Sequence, residues 1–380
     1  VRICFINLPI EFYSPTSGGA IATIIYNTAQ ALLRAGHDVT ILTPVNNDPT
    51  YGAGTVIPVD ARQRNELSFL QRRFSDLKRI VAKYDWPYYE YYLESVLSTL
   101  RSIVPTPDVV IAFNDLYLPS RLRAVLPDAR IAVWLQNECR TSGNNLVKTR
   151  DCTDIFLTCS RYIADWTESN LHICSSKIHT VLNGVDDRFF SPRPDYLLPP
   201  AVPQVLFLGR IDRNKGPDLV VAAVAALKDE GILVNLTLAG GVWFYGDSST
   251  DPFYCSLAQA IKPLGAAQLG HVPRERVPDL VRHHDIVCVL SRSNEPFGLV
   301  ALEAMASGCA VIASNRGGLP EACGDAAILV DPEDLLAVVA ALKNLVTKPA
   351  LLTQTKRRSL ARVASAGWDI TARALLAALN

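Results

Sequence analysis

The chain has 380 residues, 49% of them apolar and 19% charged, with 37 basic and 37 acidic side chains and a formal net charge of zero. This composition excludes a disordered chain, and the balanced charge excludes the global positive field of a protein that grips a polyanion such as nucleic acid. Nine cysteines, odd in number and without a C-x-x-C pair, read as reduced thiols and not as a disulfide framework. No run of about 18 apolar residues is present, and the N-terminus opens on a strand-like run at 1–7 instead of a charged leader, so a cytoplasmic protein is expected.

In chain order, the opening run is followed by an amphipathic helix at 20–35 that ends at Gly36. Further short apolar runs lie at 39–43, 109–113, 131–135, 155–158 and 178–182, then at 205–208, 234–239, 286–290, 310–313 and 327–330. Continuous apolar runs of this length are strands buried on both faces, and helical stretches such as 217–231 between them give repeated βαβ units with parallel sheets. At roughly 150 residues per domain the length suggests two domains. The segment 191–203 carries five prolines in thirteen residues and is the predicted linker. The chain thus divides into 1–190, the linker, and 204–365, with a last helix at about 366–380 packing back on the first domain. Open parallel sheets bind ligands outside the carboxyl ends of their strands, so two facing Rossmann-like domains place a ligand in the cleft between them.

One stretch breaks the rhythm. Residues 62–83 hold Arg62, Arg64, Arg72, Arg73, Lys78, Arg79 and Lys83 and are followed by Tyr84, Trp86, Tyr88, Tyr89, Tyr91 and Tyr92. A solvated helix followed by an aromatic packing face is the favoured reading; peripheral contact with an anionic membrane surface is the other.

The most informative segment follows the run at 286–290. Pro296 suits the first turn of a helix, 299–305 continue it, and Gly308 suits its end. Free amides at Phe297, Gly298 and Leu299, with the helix dipole, favour a diphosphate. Glu303 is then placed to accept ribose hydroxyls, and Glu295 those of a transferred sugar. Taken singly, Glu295 also suits a simple helix N-terminus and Glu303 a surface pair with a basic residue one turn away.

Glu295 and Glu303, separated by seven residues that include Pro296, Phe297, Gly298 and Leu299, resemble the signature of the retaining glycosyltransferase family four, which has the GT-B fold. Gly209-Arg210 with Lys215-Gly216 resembles the family loop whose Arg and Lys hold the donor diphosphate. Asn183-Gly184-Val185-Asp186 is similar to the family stretch before the linker, Gly18-Gly19 to its N-terminal glycine loop, and Trp368-Asp369 to its last turn. The resemblance implies a hexosyltransferase that retains anomeric configuration, with an acceptor-binding N-terminal domain and a donor-binding C-terminal one. Val272, after Gly270 and His271, resembles the base-contacting segment. Where many members carry a histidine at the end of an N-terminal-domain strand that contacts the donor sugar, this chain has Gln136, followed by Asn137, both assigned to the acceptor side; glutamine positions a hydroxyl but does not titrate. Asn114-Asp115 is a further acceptor-side pair, with Asp115 read either as the group that orients or deprotonates the incoming hydroxyl or as a helix N-cap.

The expected donor set is therefore Gly18, Gly19, Gly209, Arg210, Lys215, Val272, Glu295, Phe297, Gly298, Leu299 and Glu303. Glu295, Arg210, Lys215 and Asp115 carry the chemistry. Arg210 and Lys215 replace a divalent metal, since charge develops on the leaving diphosphate; no cofactor is expected, and His283-His284 read as structural. A UDP-sugar is the first donor expected and GDP-mannose the next, with the acceptor a hydroxyl of a carbohydrate, a lipid-linked sugar or a small molecule. The alternatives are a nucleotide-sugar 2-epimerase and a non-catalytic two-lobed ligand-binding protein.

Overall fold

The computed structural model describes residues 1–16, 19–61, 90–242 and 248–380. Gly18, the basic stretch 62–83 and Tyr84, Trp86, Tyr88 and Tyr89 lie outside the described residues. The described chain forms two units. The first comprises Val1–Thr158, Ala164–Thr180 and Ala374–Asn380, and the second Cys159–Ile163 and Val181–Arg373.

Unit 1 is built on one sheet of β1 (Arg2–Ile6), β2 (Asp38–Pro44), β3 (Thr55–Val59), β4 (Val109–Phe113), β5 (Arg130–Leu135), β6 (Ile155–Thr158) and β7 (Ile178–Thr180). The order is β3-β2-β1-β4-β5-β6-β7, every neighbour parallel. Residues Val110 to Phe113 have no exposure, as a strand covered on both faces requires. The walk across the sheet reverses between β1 and β4, so a crevice opens at the carboxyl ends of those two strands.

Unit 2 repeats the plan with β8 (Gln204–Leu208), β9 (Asn235–Ala239), β10 (Ala267–Gln268), β11 (Ile286–Val289), β12 (Ala310–Ser314) and β13 (Ile328–Val330) in the parallel order β10-β9-β8-β11-β12-β13. Its reversal lies between β8 and β11, where Ile286 pairs with Val205 and Cys288 with Phe207. The helix Pro217–Asp229 buries Leu219, Val220, Ala223, Val224 and Leu227 against this sheet, the spacing its sequence shows.

Two strands lack a sequence signal. β3 starts exposed and carries Pro58, which suits only an edge strand, and it does lie at the edge. β10 has two residues, too few for periodicity.

The proline-rich segment is seated on unit 2 by a buried ionic cluster. Asp285, with no exposure, accepts from Lys356 Nζ at 2.7 Å and Arg193 at 3.2 Å through Oδ1, and from the Gln204 amide at 2.9 Å through Oδ2. Lys356 Nζ also donates to Tyr196 O at 2.8 Å. One carboxylate thus fixes residues 193–196 against the start of β8 and the helix Pro349–Val363. No single described helix is long and apolar enough to cross a membrane.

Removing one partner of a buried ion pair strands the other charge, at a cost of about 3–5 kcal/mol. Asp285→Ala should therefore lower unfolding free energy by about that amount in urea titration; a loss below about 1 kcal/mol would contradict the cluster's role.

Candidate active site

The two loops that leave β8 and β11 flank the reversal point of unit 2 and are fastened to each other. After β8 the chain turns at Gly209 (φ +153°), with Gly240 so close that a Cβ there would lie 1.8 Å from Gly209 O. Asp212 then caps the single turn Arg213–Lys215, its Oδ1 accepting the Lys215 amide at 3.1 Å. Gly216 (φ +69°) is pressed against the end of β11, where a Cβ would stand 2.2 Å from Leu290 O. From the other loop the Arg292 amide donates to Asn214 O at 2.7 Å, and its guanidinium makes two 2.8 Å bonds to Asp218. Glycine is required at 216, since any side chain meets backbone in a left-handed conformation.

This fastening brings together Lys215 and Glu295. Lys215 Nζ lies 2.8 and 2.7 Å from the two carboxylate oxygens, and Ser291 Oγ donates to Oε2 at 2.8 Å. Both side chains remain partly accessible, 27% and 16% respectively. Arg210 lies on the same loop as Lys215 and is 40% exposed, with its guanidinium 3.4 Å from Asp212 Oδ2.

Glu295 is held through its backbone as well. Gly317 and Gly318 pass so near that a Cβ on Gly317 would lie 2.2 Å from Glu295 O, and the Gly318 amide donates to that oxygen at 2.6 Å. The helix after it starts later than the sequence suggests. Pro296 and Phe297 stand outside it, Gly298 is the N-cap in the left-handed region (φ +105°), and the helix runs Leu299–Ala306. The left-handed turn prevents residues 296–298 from joining the helix. With Ala301 N already donating to Gly298 O, the first-turn amides left by helix geometry are those of Leu299 and Val300, and Phe297 is buried.

Glu303 lies on this helix, 7% exposed at its side chain, and pairs with Arg274 at 2.5 Å. Its partner comes from another element, not from one turn away. Val272 is two residues before that arginine, half-buried in the loop after β10. His283 and His284 each bond the carbonyl one turn back, Asp279 O and Leu280 O.

The unit 1 candidates surround their own reversal point. Asn114 follows β4 in a left-handed conformation (φ +50°), and its Oδ1 accepts the amide of buried Gln136, which follows β5, at 2.6 Å. Asp115 Oδ1 accepts the amides of Tyr117 and Leu118 at 2.7 and 3.0 Å, while desolvation raises its pKa above the ordinary carboxylate value. Asn137 is exposed. Gly19 caps the helix Ala20–Arg34 in an extended conformation. The anion at that helix start is supplied by the protein itself: Glu11 accepts the Ala22 amide at 3.1 Å, and its carboxyl carbon lies 2.6 Å from where a Gly19 Cβ would be.

Sequence reasoning missed Arg274, Ser291, Gly317, Gly318 and Glu11. Only Ser291 carried a signal, four residues before Glu295; the others arrive from distant elements without a pattern of their own.

Both halves of the chain match models of glycosyltransferase families: Glycosyltransferase Family 4 over residues 18–189 and Glycosyl transferases group 1 over 192–362. The chain is 26% identical to glycogen synthase of Mycobacterium tuberculosis across 93% of its own length and 88% of the relative's. In structure it resembles sucrose-phosphate synthase from Thermosynechococcus elongatus, with a TM-score of 0.77, 21% identity and 99% of each chain covered. It also resembles the Anabaena protein HepE solved with UDP-glucose, with a TM-score of 0.74, 16% identity, and 100% and 99% of the two chains covered. At these identities the two structural likenesses show the fold, which is GT-B.

The raised pKa of Asp115 gives a pH-dependent prediction. The native state holds this proton more tightly than the unfolded chain, so the residue costs stability as pH rises through the carboxylate range and costs nothing below it. Asp115→Asn keeps an acceptor for the Tyr117 and Leu118 amides. Its stability relative to the parent should be higher at pH 7 than at about pH 4; a difference that does not change with pH would contradict the desolvation.

Proposed function

We propose that this chain, a GT-B glycosyltransferase of the family-four type, transfers a sugar with retention from a nucleoside diphosphate donor to an acceptor hydroxyl, without a divalent metal. A UDP-sugar is the first choice of donor, in keeping with the UDP-glucose held by the structurally similar HepE, and GDP-mannose the second. The acceptor is a hydroxyl of a carbohydrate, a lipid-linked sugar or a small molecule.

The observation that carries this reading is the Lys215–Glu295 pair at the reversal point of unit 2. A diphosphate seated at the start of the helix Leu299–Ala306 meets first-turn amides and the positive end of the dipole. Lys215 and Arg210 then stand beside the oxygen that gains charge as the glycosidic bond breaks, and they stabilise the transition state more than the bound donor. They supply the charge that a divalent ion supplies elsewhere. Glu295, released from Lys215 on the arrival of phosphate, accepts hydroxyls of the transferred sugar, and Glu303 accepts those of the ribose. Gly209 and Gly298 leave room for close approach of the ligand, Phe297 and Leu299 line the helix start, and Val272 faces the base.

On the acceptor side, Asp115 uses Oδ1 for its own backbone, so Oδ2 is the atom assigned to orient the incoming hydroxyl. Gln136, fixed through its amide by Asn114, positions a hydroxyl without exchanging a proton, with Asn137 beside it. Gly19, with Gly18 before it, belongs to the same side.

Lys215→Met should lower kcat by about 10²–10³-fold, the range for removing one preorganised electrostatic contact. Glu295→Ala should abolish transfer while leaving nucleoside diphosphate binding measurable by calorimetry. Transfer by the parent enzyme, followed by anomeric proton NMR, should keep the donor's configuration and be unaffected by a chelator. Unimpaired turnover in both variants would overturn the assignment.

A further inference from the structure

Glu303 sits where a carboxylate is costly. Residues Ala301 to Ala306 of its helix are all buried, and its side chain is 7% exposed. An unpaired charge there would be strongly disfavoured. The neutralising group is Arg274, which reaches over from the turn Arg274–Arg276 and donates to Oε1 at 2.5 Å. The guanidinium is itself restrained by aromatic faces: its carbon lies 5.0 Å from the ring centroid of Phe190, which is 1% exposed, and 5.9 Å from that of Phe189. One carboxylate oxygen is therefore fixed by a cation on an aromatic platform, while the other, Oε2, has no hydrogen-bond partner among the described residues.

Resting on the donor-site reading above, we propose that Arg274 is a positioning residue for recognition of the donor's ribose diol. By holding Oε1 on the platform of Phe190, it fixes the Glu303 carboxylate so that the vicinal hydroxyls meet acceptors already in place. A carboxylate that rotates freely has to be ordered by each ligand, and this ordering weakens the contact. Arginine suits the role because its planar guanidinium stacks on a ring while donating in its own plane; a lysine ammonium reaches the carboxylate as a point charge without the same orientation. The arginine thus acts on the selection of ribose over deoxyribose, a property that a merely structural ion pair does not control.

The test uses UDP, GDP and ADP, each with its 2′-deoxy counterpart, titrated calorimetrically into the full chain; the nucleotide that binds most tightly is carried forward. The parent protein should favour the ribonucleotide by about ten- to a hundredfold, the range for a hydrogen bond to a charged group. Arg274→Ala should weaken ribonucleotide binding and reduce the preference to about threefold or less. Arg274→Lys should recover part of it, and Glu303→Gln should lose it as well. Melting temperatures show that each variant is folded at the temperature of measurement. An Arg274→Ala protein that keeps the parental ratio overturns this inference alone. So does one that binds the ribonucleotide more tightly, because the arginine then competes with ribose for Glu303. A parent protein that binds none of the nucleotides overturns the donor-site reading and this inference with it.

Discussion

Lys215 and Glu295 come from loops that leave different strands, and the contacts that shape those loops hold a cation and a carboxylate together. The Asp212 cap fixes the backbone at Lys215, and the two glycines at 317 and 318 allow the chain to lie against the backbone of Glu295. The Arg292–Asp218 fork ties the loops together. Neither charged group can be removed without leaving the other partly desolvated and unpaired. The pair is also balanced enough to be reorganised: both side chains remain in contact with solvent, so a phosphate can take the lysine without either charge being stranded. On the proposed reading this exchange of partners frees the carboxylate for the sugar as the diphosphate arrives.

The sheet determines where such a pair can exist. A parallel sheet whose strand order reverses sends neighbouring strands into loops that part on opposite sides, and the gap between them is where side chains from two loops meet around a ligand. In unit 2 those strands are β8 and β11, and in unit 1 they are β1 and β4. The same topology therefore places Asn114, Asp115 and Glu11 at the corresponding point of the first sheet. There Glu11 fills the helix start that Gly19 opens, with burial raising its pKa. The two units differ in this respect: unit 1 supplies its own anion at that helix start, whereas the start of the helix Leu299–Ala306 carries first-turn amides that a ligand can use.

Much of this was legible in the sequence because buried parallel strands are written as uninterrupted apolar runs. Val109–Phe113 and Ile155–Thr158 stand where their sequence places them. Glu295 and Glu303 were legible as site candidates because they lie just past such a run and on the helix that follows, and Arg210 and Lys215 through the resemblance of their loop to the family's. What escaped depends on contacts between residues far apart in the chain. The Arg274–Glu303 pair joins a short turn to a helix further along the chain, and nothing around Arg274 distinguishes it from Arg276 until the fold sets it above Phe190. The later helix start at Leu299 escaped because Pro296 is a good opening residue, and only the left-handed turn at Gly298, packed against Leu319, postpones it. β3 escaped because its proline is tolerable solely at an edge, which pairing alone reveals.

On the proposed reading a diphosphate lies between the Lys215 loop and the start of the helix Leu299–Ala306. A crystal structure with a bound, non-hydrolysable UDP-sugar measures this most directly. A phosphoryl oxygen should stand within hydrogen-bonding distance, about 3 Å, of Lys215 Nζ and of a first-turn amide, with the bonds from Lys215 to Glu295 broken or shared. Phosphates bound elsewhere, with the Lys215–Glu295 pair intact, would contradict it.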